Sequence, residues 1–334
     1  MLDERKATIL RAIVEEYIET AQPVGSAHVA RAPGINVSAA TIRNDMAALE
    51  QEGYLHQPHT SAGRVPTEKG YRFFVDSLGG PGRLTPAEAQ QVRQFFARAH
   101  GELEAMLEST SRLLSKLTRY TAVVVGPAHE AAVVRSAQLV SLTPRVALFV
   151  VVLSSGAIEK HAIEFDDDVD EVVVNAAGVR LAGLLVGRPL AEAANVVLDE
   201  HDPGREVPVM RATLEALRAP AVEDQEVYIG GTSQMAEAFD AVASVREILR
   251  LLEQQFVVVS LLRDVLDRGL QVAIGTETGM EPLSEAAVVV APYEVHGEPV
   301  GSIGVLGPAR MNYPQAMAAV AVVSARLGRT LSEG

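Results

Sequence analysis

The residues best suited to chemistry here are those that bond to bases and phosphates. In Ser38-Ala39-Ala40-Thr41-Ile42-Arg43-Asn44, an arginine and an asparagine stand beside two alanines. Arginine can give guanine a bidentate pair and asparagine can give one to adenine, each worth roughly 1–3 kcal/mol of discrimination. Small side chains at Ala39 and Ala40 let a backbone approach a groove, and Ser38 and Thr41 can donate to phosphate. A second group follows. His59, Thr60 and Ser61 offer neutral phosphate contacts, Arg64 a cation at a glycine-supported loop tip, and Lys69 and Arg72 further charge. Blander readings stand beside each: Arg43 as a solvated or salt-bridged helix residue, Asn44 bonded to its own turn, Ser38 as a cap, Arg64 as a mobile surface side chain. Tyr71 and Phe74 read as core rather than as base-stacking residues.

Enzymatic constellations do not occur in the sequence. It holds no phosphate loop, dinucleotide loop, nucleophile elbow or His-Glu-x-x-His. The glycines of Gly301–Gly307 are wrongly spaced for a dinucleotide and read as strand packing. His56 and His59 have no carboxylate cluster nearby. Across Asp166–Glu171, a calcium loop would need glycine and glutamate where Glu171 and Ala177 stand. With no cysteine, disulfide scaffolds, thiolate zinc sites and cysteine nucleophiles are excluded. The expectation is a non-enzyme without cofactor or metal.

The elements that must position these residues are legible in the periodicity. Asp3–Thr20 reads as an amphipathic helix, broken by Gln22–Gly25, and Ala27–Arg31 as about two turns. Ser38 is an N-cap; Ile42, Met46 and Leu49 face inward, which leaves Ala39, Ala40, Arg43 and Asn44 on or near the outward face until Gly53 stops the helix. Tyr54–Gln57 is a short strand, Pro58–Pro66 a turn-rich loop with Val65 starting the return, and Thr67 caps Glu68–Leu78. Three helices, a strand, a basic loop, a return strand and a helix make a winged helix-turn-helix over residues 1–78.

Beyond the Gly79-Gly80-Pro81-Gly82 linker, Thr85–Thr118 reads as helical and Val123–Val125, Ala137–Ser141, Val146–Leu153 and Ile158–Phe165 as strands. The apolar run Val146–Leu153 suggests burial on both faces. Asp170–Leu185 is expected to be helical. The stretch 189–267 is expected to be mainly helical and inserted, ending in the apolar helix Val245–Leu266, either a subunit interface or buried in its own domain. Strands at Gln271–Ile274, Ala286–Tyr293 and Ser302–Leu306 and a helix at Tyr313–Leu331 complete an α+β chain.

At 334 residues the chain suggests two to three domains, at roughly 150 residues each. Its net charge of -14 argues against nucleic acid, yet residues 1–78 carry 8 basic against 10 acidic side chains, and Tyr54–Phe74 is locally basic. Binding there would lean on docking geometry more than bulk attraction. No 18-residue apolar run or secretory leader appears, so a cytoplasmic protein without membrane contact is expected.

Val37–Met46 and Gln57–Phe73 closely resemble the HrcA family, bacterial heat-inducible transcription repressors. Leu114–Thr121, Tyr228–Ser233, Ile274–Glu277 and Gly304–Tyr313 extend the resemblance along nearly the whole chain; Ala32-Pro33-Gly34 and Thr278-Gly279 depart from it. The resemblance implies a winged helix (1–78), a GAF-like domain in two parts (79–188, with its leading helix, and 268–334) and an inserted dimerisation domain (189–267). It also implies a homodimer on an inverted-repeat operator (CIRCE) ahead of chaperonin and DnaK-type chaperone genes, kept active by a GroEL-type chaperonin and released on heat stress. A small-molecule-sensing GAF-type regulator, its pocket lined by 274–277 and 302–313, is the alternative. Arg43→Ala is expected to remove operator preference, and Arg64→Ala to weaken binding and shallow its salt slope.

Overall fold

A computed structural model describes residues 2–59, 62–98, 103–127, 133–154, 158–198, 203–218, 226–239, 242–268 and 271–333. The N-terminal unit has helices α1 (Glu4–Thr20), α2 (Ser26–Val29) and α3 (Ala39–Gln51), a wing of β1 (Leu55–His56) paired antiparallel with β2 (Val65–Pro66), and α4 (Glu68–Ser77). Its helix starts are set locally. Asp3 accepts from the Lys6 amide at 2.9 Å, Ser38 from Thr41 at 3.2 Å and Thr67 from Gly70 at 3.2 Å, each satisfying an amide that lacks a helical partner. The wing root approaches the chain between α1 and α2 so closely that a Cβ on Gly63 would stand 2.4 Å from the Val24 carbonyl oxygen, which only glycine permits.

After α5 (Pro86–Arg98) and α6 (Leu103–Thr118) comes β3 (Thr121–Val125). Then follow β4 (Val134–Thr143), β5 (Val146–Leu153), β6 (Ile158–Glu164), α7 (Glu171–Leu185), α8 (Leu190–Ala194) and α9 (Val207–Arg218). The chain continues as β7 (Val227–Gly230), α10 (Thr232–Ala238), α11 (Val242–Leu252), α12 (Gln255–Asp267), β8 (Val272–Ile274), β9 (Ala286–Val295), β10 (Glu298–Pro308) and α13 (Tyr313–Glu333). Strands β7-β3-β10-β9-β8 form one antiparallel sheet in that order, and β4-β5-β6 a separate one. Alternation along the larger sheet sends Ala122, Val124, Val289 and Ile303 into a core shared with α5, α6, α13 and the winged helix. Val123, Val125, Val288 and Val290 face α10, α11 and α12.

This grouping departs from the expected boundaries. Strands β4–β6 do not join the C-terminal strands; with α7, α8 and α9 they close a core of their own around Phe149, Val151, Leu181, Met210 and Leu214. The boundary expected at 189 thus falls inside a unit running from Val134 to Arg218, and 227–267 belongs with the larger sheet. Strand β5 is not buried on both faces. Ala147, Phe149, Val151 and Leu153 are buried under the helices, while Val146, Leu148, Val150 and Val152 lie half-buried on the side those helices do not cover. The single helix expected over Val245–Leu266 is two helices broken at Glu253-Gln254. Ile248, Leu252, Leu261 and Val265 pack on the chain's own sheet, so burial within the domain is the outcome observed.

Candidate nucleic-acid interface

Helix α3 is fixed from behind. Ile42, Met46 and Leu49 are buried in the winged-helix core, as their spacing requires. Between them Asp45, only 6% exposed, accepts from Arg5 Nε at 2.9 Å and Nη2 at 3.1 Å. These bidentate, charge-assisted bonds tie α3 to α1, and the hydrogen bond to Asp45 raises the Arg5 guanidinium above its ordinary pKa. With its inner face locked, the helix presents a defined outer one. Ser38, Ala40, Arg43 and Asn44 are exposed, and Ala39 and Thr41 half-buried. The Arg43 and Asn44 side chains make no hydrogen bond or ion pair among the described residues, so both remain available to a ligand. Ser38 serves as the cap, its hydroxyl also 3.0 Å from that of Thr41.

The wing differs from the sequence expectation. His59 is exposed in a turn whose carbonyl accepts from the Ala62 amide at 2.8 Å; Thr60 and Ser61 lie outside the described residues. Arg64 lies at the wing root, not at a loop tip. Its backbone pairs with Val24 in both directions at 2.9 Å, and Nη2 meets Glu50 of α3 at 2.9 Å with the Arg64 side chain 18% exposed. In this arrangement the guanidinium is held by Glu50 and braces the wing against α3. Lys69 is exposed, but its Nζ donates to the Glu52 carbonyl at 2.8 Å and sits 4.3 Å from the Tyr54 ring.

Arg72 corrects the sequence reading most. It does not add free charge to this surface. Nε donates to Glu277 Oε1 at 2.8 Å, while Nη2 bonds the other Glu277 oxygen and the Val272 carbonyl. Burial lowers its pKa, yet Glu277 and Asp76 leave it raised above the ordinary value. Tyr71 and Phe74 are core residues, 5% and 2% exposed.

Of the eight cations in residues 1–78, Arg5, Lys6, Arg64 and Arg72 are all paired with carboxylates of this chain. Arg11, Arg31, Arg43 and Lys69 have no carboxylate partner among the described residues. Half of the unit's cations are thus neutralised within the chain, which leaves it little net attraction for phosphate. Sequence reasoning missed Asp45, Glu50 and Glu277 as partners. Only Asp45 left a signal, a charge among the inward positions of an amphipathic helix.

Other candidates for chemistry resolve into structure. Asp168 pairs with Arg145 at 2.7 Å and Asp170 caps α7 at the Val172 amide. Among the described residues no three His, Asp or Glu side chains are grouped to hold a metal, and no helix is long and apolar enough to cross a membrane.

The family model described as the HrcA protein C-terminal domain matches residues 104–317. Heat-inducible transcription repressor HrcA of Streptomyces avermitilis is 39% identical over 342 residues, covering 100% of both chains. That of Pseudarthrobacter chlorophenolicus is 40% identical over 338 residues, covering 99% of each, and that of Acidothermus cellulolyticus 40% over 341 residues, covering 100% of each. A crystal structure described as a hypothetical protein at 2.2 Å resolution shares the fold, with a TM-score of 0.62, 24% identity and coverage of 99% of this chain and 98% of that one. Matched over residues 104–317 by the family model and end to end by repressors about 40% identical to it, this chain belongs to the HrcA family of heat-inducible transcription repressors.

Proposed function

We propose that the chain binds an inverted-repeat operator (CIRCE) as a homodimer in the cytoplasm, represses chaperonin and DnaK-type chaperone genes, and releases the operator on heat stress. A GroEL-type chaperonin maintains its active form. The observation that carries the reading is the N-terminal half of α3: Ala39 and Ala40 allow close approach, and Arg43 and Asn44 stand exposed and unpaired on a helix locked by Arg5–Asp45. Helices of this kind read bases from their first turns in the major groove. His59 and Lys69 supply phosphate contacts, as do Thr60 and Ser61, which lie outside the described residues. Fluorescence anisotropy on a duplex bearing the inverted repeat, against a scrambled duplex near physiological salt, with and without chaperonin, tests it. Preference for the repeat is expected; equal weak binding to both would overturn it.

One winged helix covers one half-site, so a dimer is required to cover two. The unit from Val134 to Arg218 is the proposed dimerisation domain, and the larger sheet with its helices the GAF-like body. Helix α7 is apolar nearly all round. Along its exposed side Val172, Ala176, Val179, Gly183 and Val186 recur at alternating spacings of four and three, with Val172 and Val179 at 73% and 76% exposure. That is the seam spacing of paired helices, and an isolated surface helix has no need of it.

A second reading, a small-molecule sensor, is favoured by one observation. A cleft of about 660 Å³ between α5, α6, α10 and α13 is lined by Lys116 and Arg119, with one carboxylate, Glu88, and with Gln91, Gln234 and Gln315. It does not involve 274–277, which meet the winged helix instead. A melting temperature raised by a small anionic metabolite would promote this reading; no shift across a panel of such metabolites would remove it.

A further inference from the structure

Residues 79–85 join the winged helix to the body, and Gly79 and Gly80 are exposed with open space where a Cβ would stand. Such a tether alone would let the winged helix swing. The apolar core it shares with the body holds it in place, and two short polar segments some 200 residues apart pin it further. On the first turn of α4, Glu68 Oε2 accepts from the Thr276 hydroxyl at 2.7 Å and Oε1 from the Thr276 amide at 3.3 Å. One turn on, Arg72 grips both oxygens of Glu277 and the Val272 carbonyl, and Glu277 is itself held by the Ile274 amide at 3.0 Å. Gly275 makes the approach possible. Its φ is +52°, and a Cβ there would stand 2.2 Å from Glu68 Oε1. Beneath, the buried rings of Tyr71 and Tyr313 lie 6.2 Å apart.

The two points are reciprocal. Helix α4 offers an acceptor at 68 and a donor at 72; the turn offers a donor at 276 and an acceptor at 277. One polar contact would leave α4 free to pivot, whereas two spaced by a helical turn fix its rotation as well as its place. We propose that Glu68 and Arg72 with Thr276 and Glu277 form a latch that sets the angle of the reading head on the body, and through it the half-site spacing that a dimer accepts. These are positioning residues: they act through the pose of α3 and touch no DNA. The inference rests on the dimeric operator reading above.

The test uses the full-length chain and the variants Thr276→Val and Glu277→Gln. Operators are compared at the natural spacer and with about five base pairs added, half a helical repeat. The unaltered protein is expected to prefer the natural spacer at least tenfold. Both variants should bind the two duplexes within about threefold, while binding to a single half-site stays unchanged. A variant that folds and keeps the spacing preference overturns the latch.

A second readout needs no operator. Because the chain has no cysteine, spin labels can be placed at Glu15→Cys and Ala325→Cys alone, diluted with unlabelled chain. The distance distribution is expected to be narrow in the parent and broad in Thr276→Val; equal narrow distributions in both overturn the proposal. Should the parent show no spacer preference while the variant's distribution broadens, the operator reading fails and the latch stands.

Discussion

Replacing Arg64 with methionine separates a brace from a phosphate clamp. Methionine keeps an apolar stem at the wing root and removes the guanidinium, leaving Glu50 without its partner at 2.9 Å. The pair is intermediate between surface and core, its side chains 18% and 34% exposed. Exposed pairs contribute about 0.2–1 kcal/mol. Removing one member of a buried pair costs about 3–5 kcal/mol. The loss here should lie between these limits, at about 1–2 kcal/mol, a factor of about 5–30 in an equilibrium constant. Operator affinity is expected to fall by that order, and the melting temperature to fall with it, because the wing root and the end of α3 lose a shared contact. The salt slope should stay within a few tenths of the parent's, since each phosphate contact contributes about 0.9 to it and an arginine that acts as a brace contributes none. The double variant Arg64→Met with Glu50→Gln should recover part of both losses by removing the stranded carboxylate. Anisotropy titrations between about 50 and 200 mM salt, with thermal melts of the free protein, measure all three quantities. A slope shallower by about 0.9 per subunit, at an unchanged melting temperature, would refute the brace and return Arg64 to the DNA.

Arg43→Ala should leave the melting temperature unchanged and cost about 1–3 kcal/mol of discrimination per half-site, read as the affinity ratio between operator and scrambled duplex; an undiminished ratio counts against α3 as the reader. Asp45→Asn removes a buried carboxylate that holds Arg5 at 2.9 and 3.1 Å and should cost about 1–3 kcal/mol of stability, measured by denaturant unfolding. A neutral outcome there would mean that α1 and α3 are held by apolar packing alone. Val179→Glu places a charge mid-way along the exposed seam of α7 and should shift sedimentation velocity from dimer to monomer; an intact dimer would move the interface off this helix.

What the sequence determined by itself was local. Asp3, Ser38 and Thr67 cap helices where a short polar side chain precedes an apolar repeat, because the amides they satisfy lie within three residues. Ile42, Met46 and Leu49 turn inward because their period is that of the helix, and this alone puts Arg43 and Asn44 outside. Two residue types with suitable donors, set beside two alanines, marked the candidate face before any fold was known, and the fold leaves Arg43 and Asn44 exposed there.

Tertiary structure decided everything that depends on a partner far along the chain. Arg64 and Arg72 read as loose surface cations because nothing within a turn of either announces Glu50 or Glu277, the latter 205 residues away. The apolar run of β5 could not say that helices would cover only one of its faces, since periodicity reports which residues avoid water and not which neighbours arrive. Nor could it say that β3 would pair with β10 and β7 rather than with β4. Strand pairing and ion pairing are settled by the path of the whole chain, and that path fixed which charges are spent inside it and which are left without a carboxylate partner among the described residues.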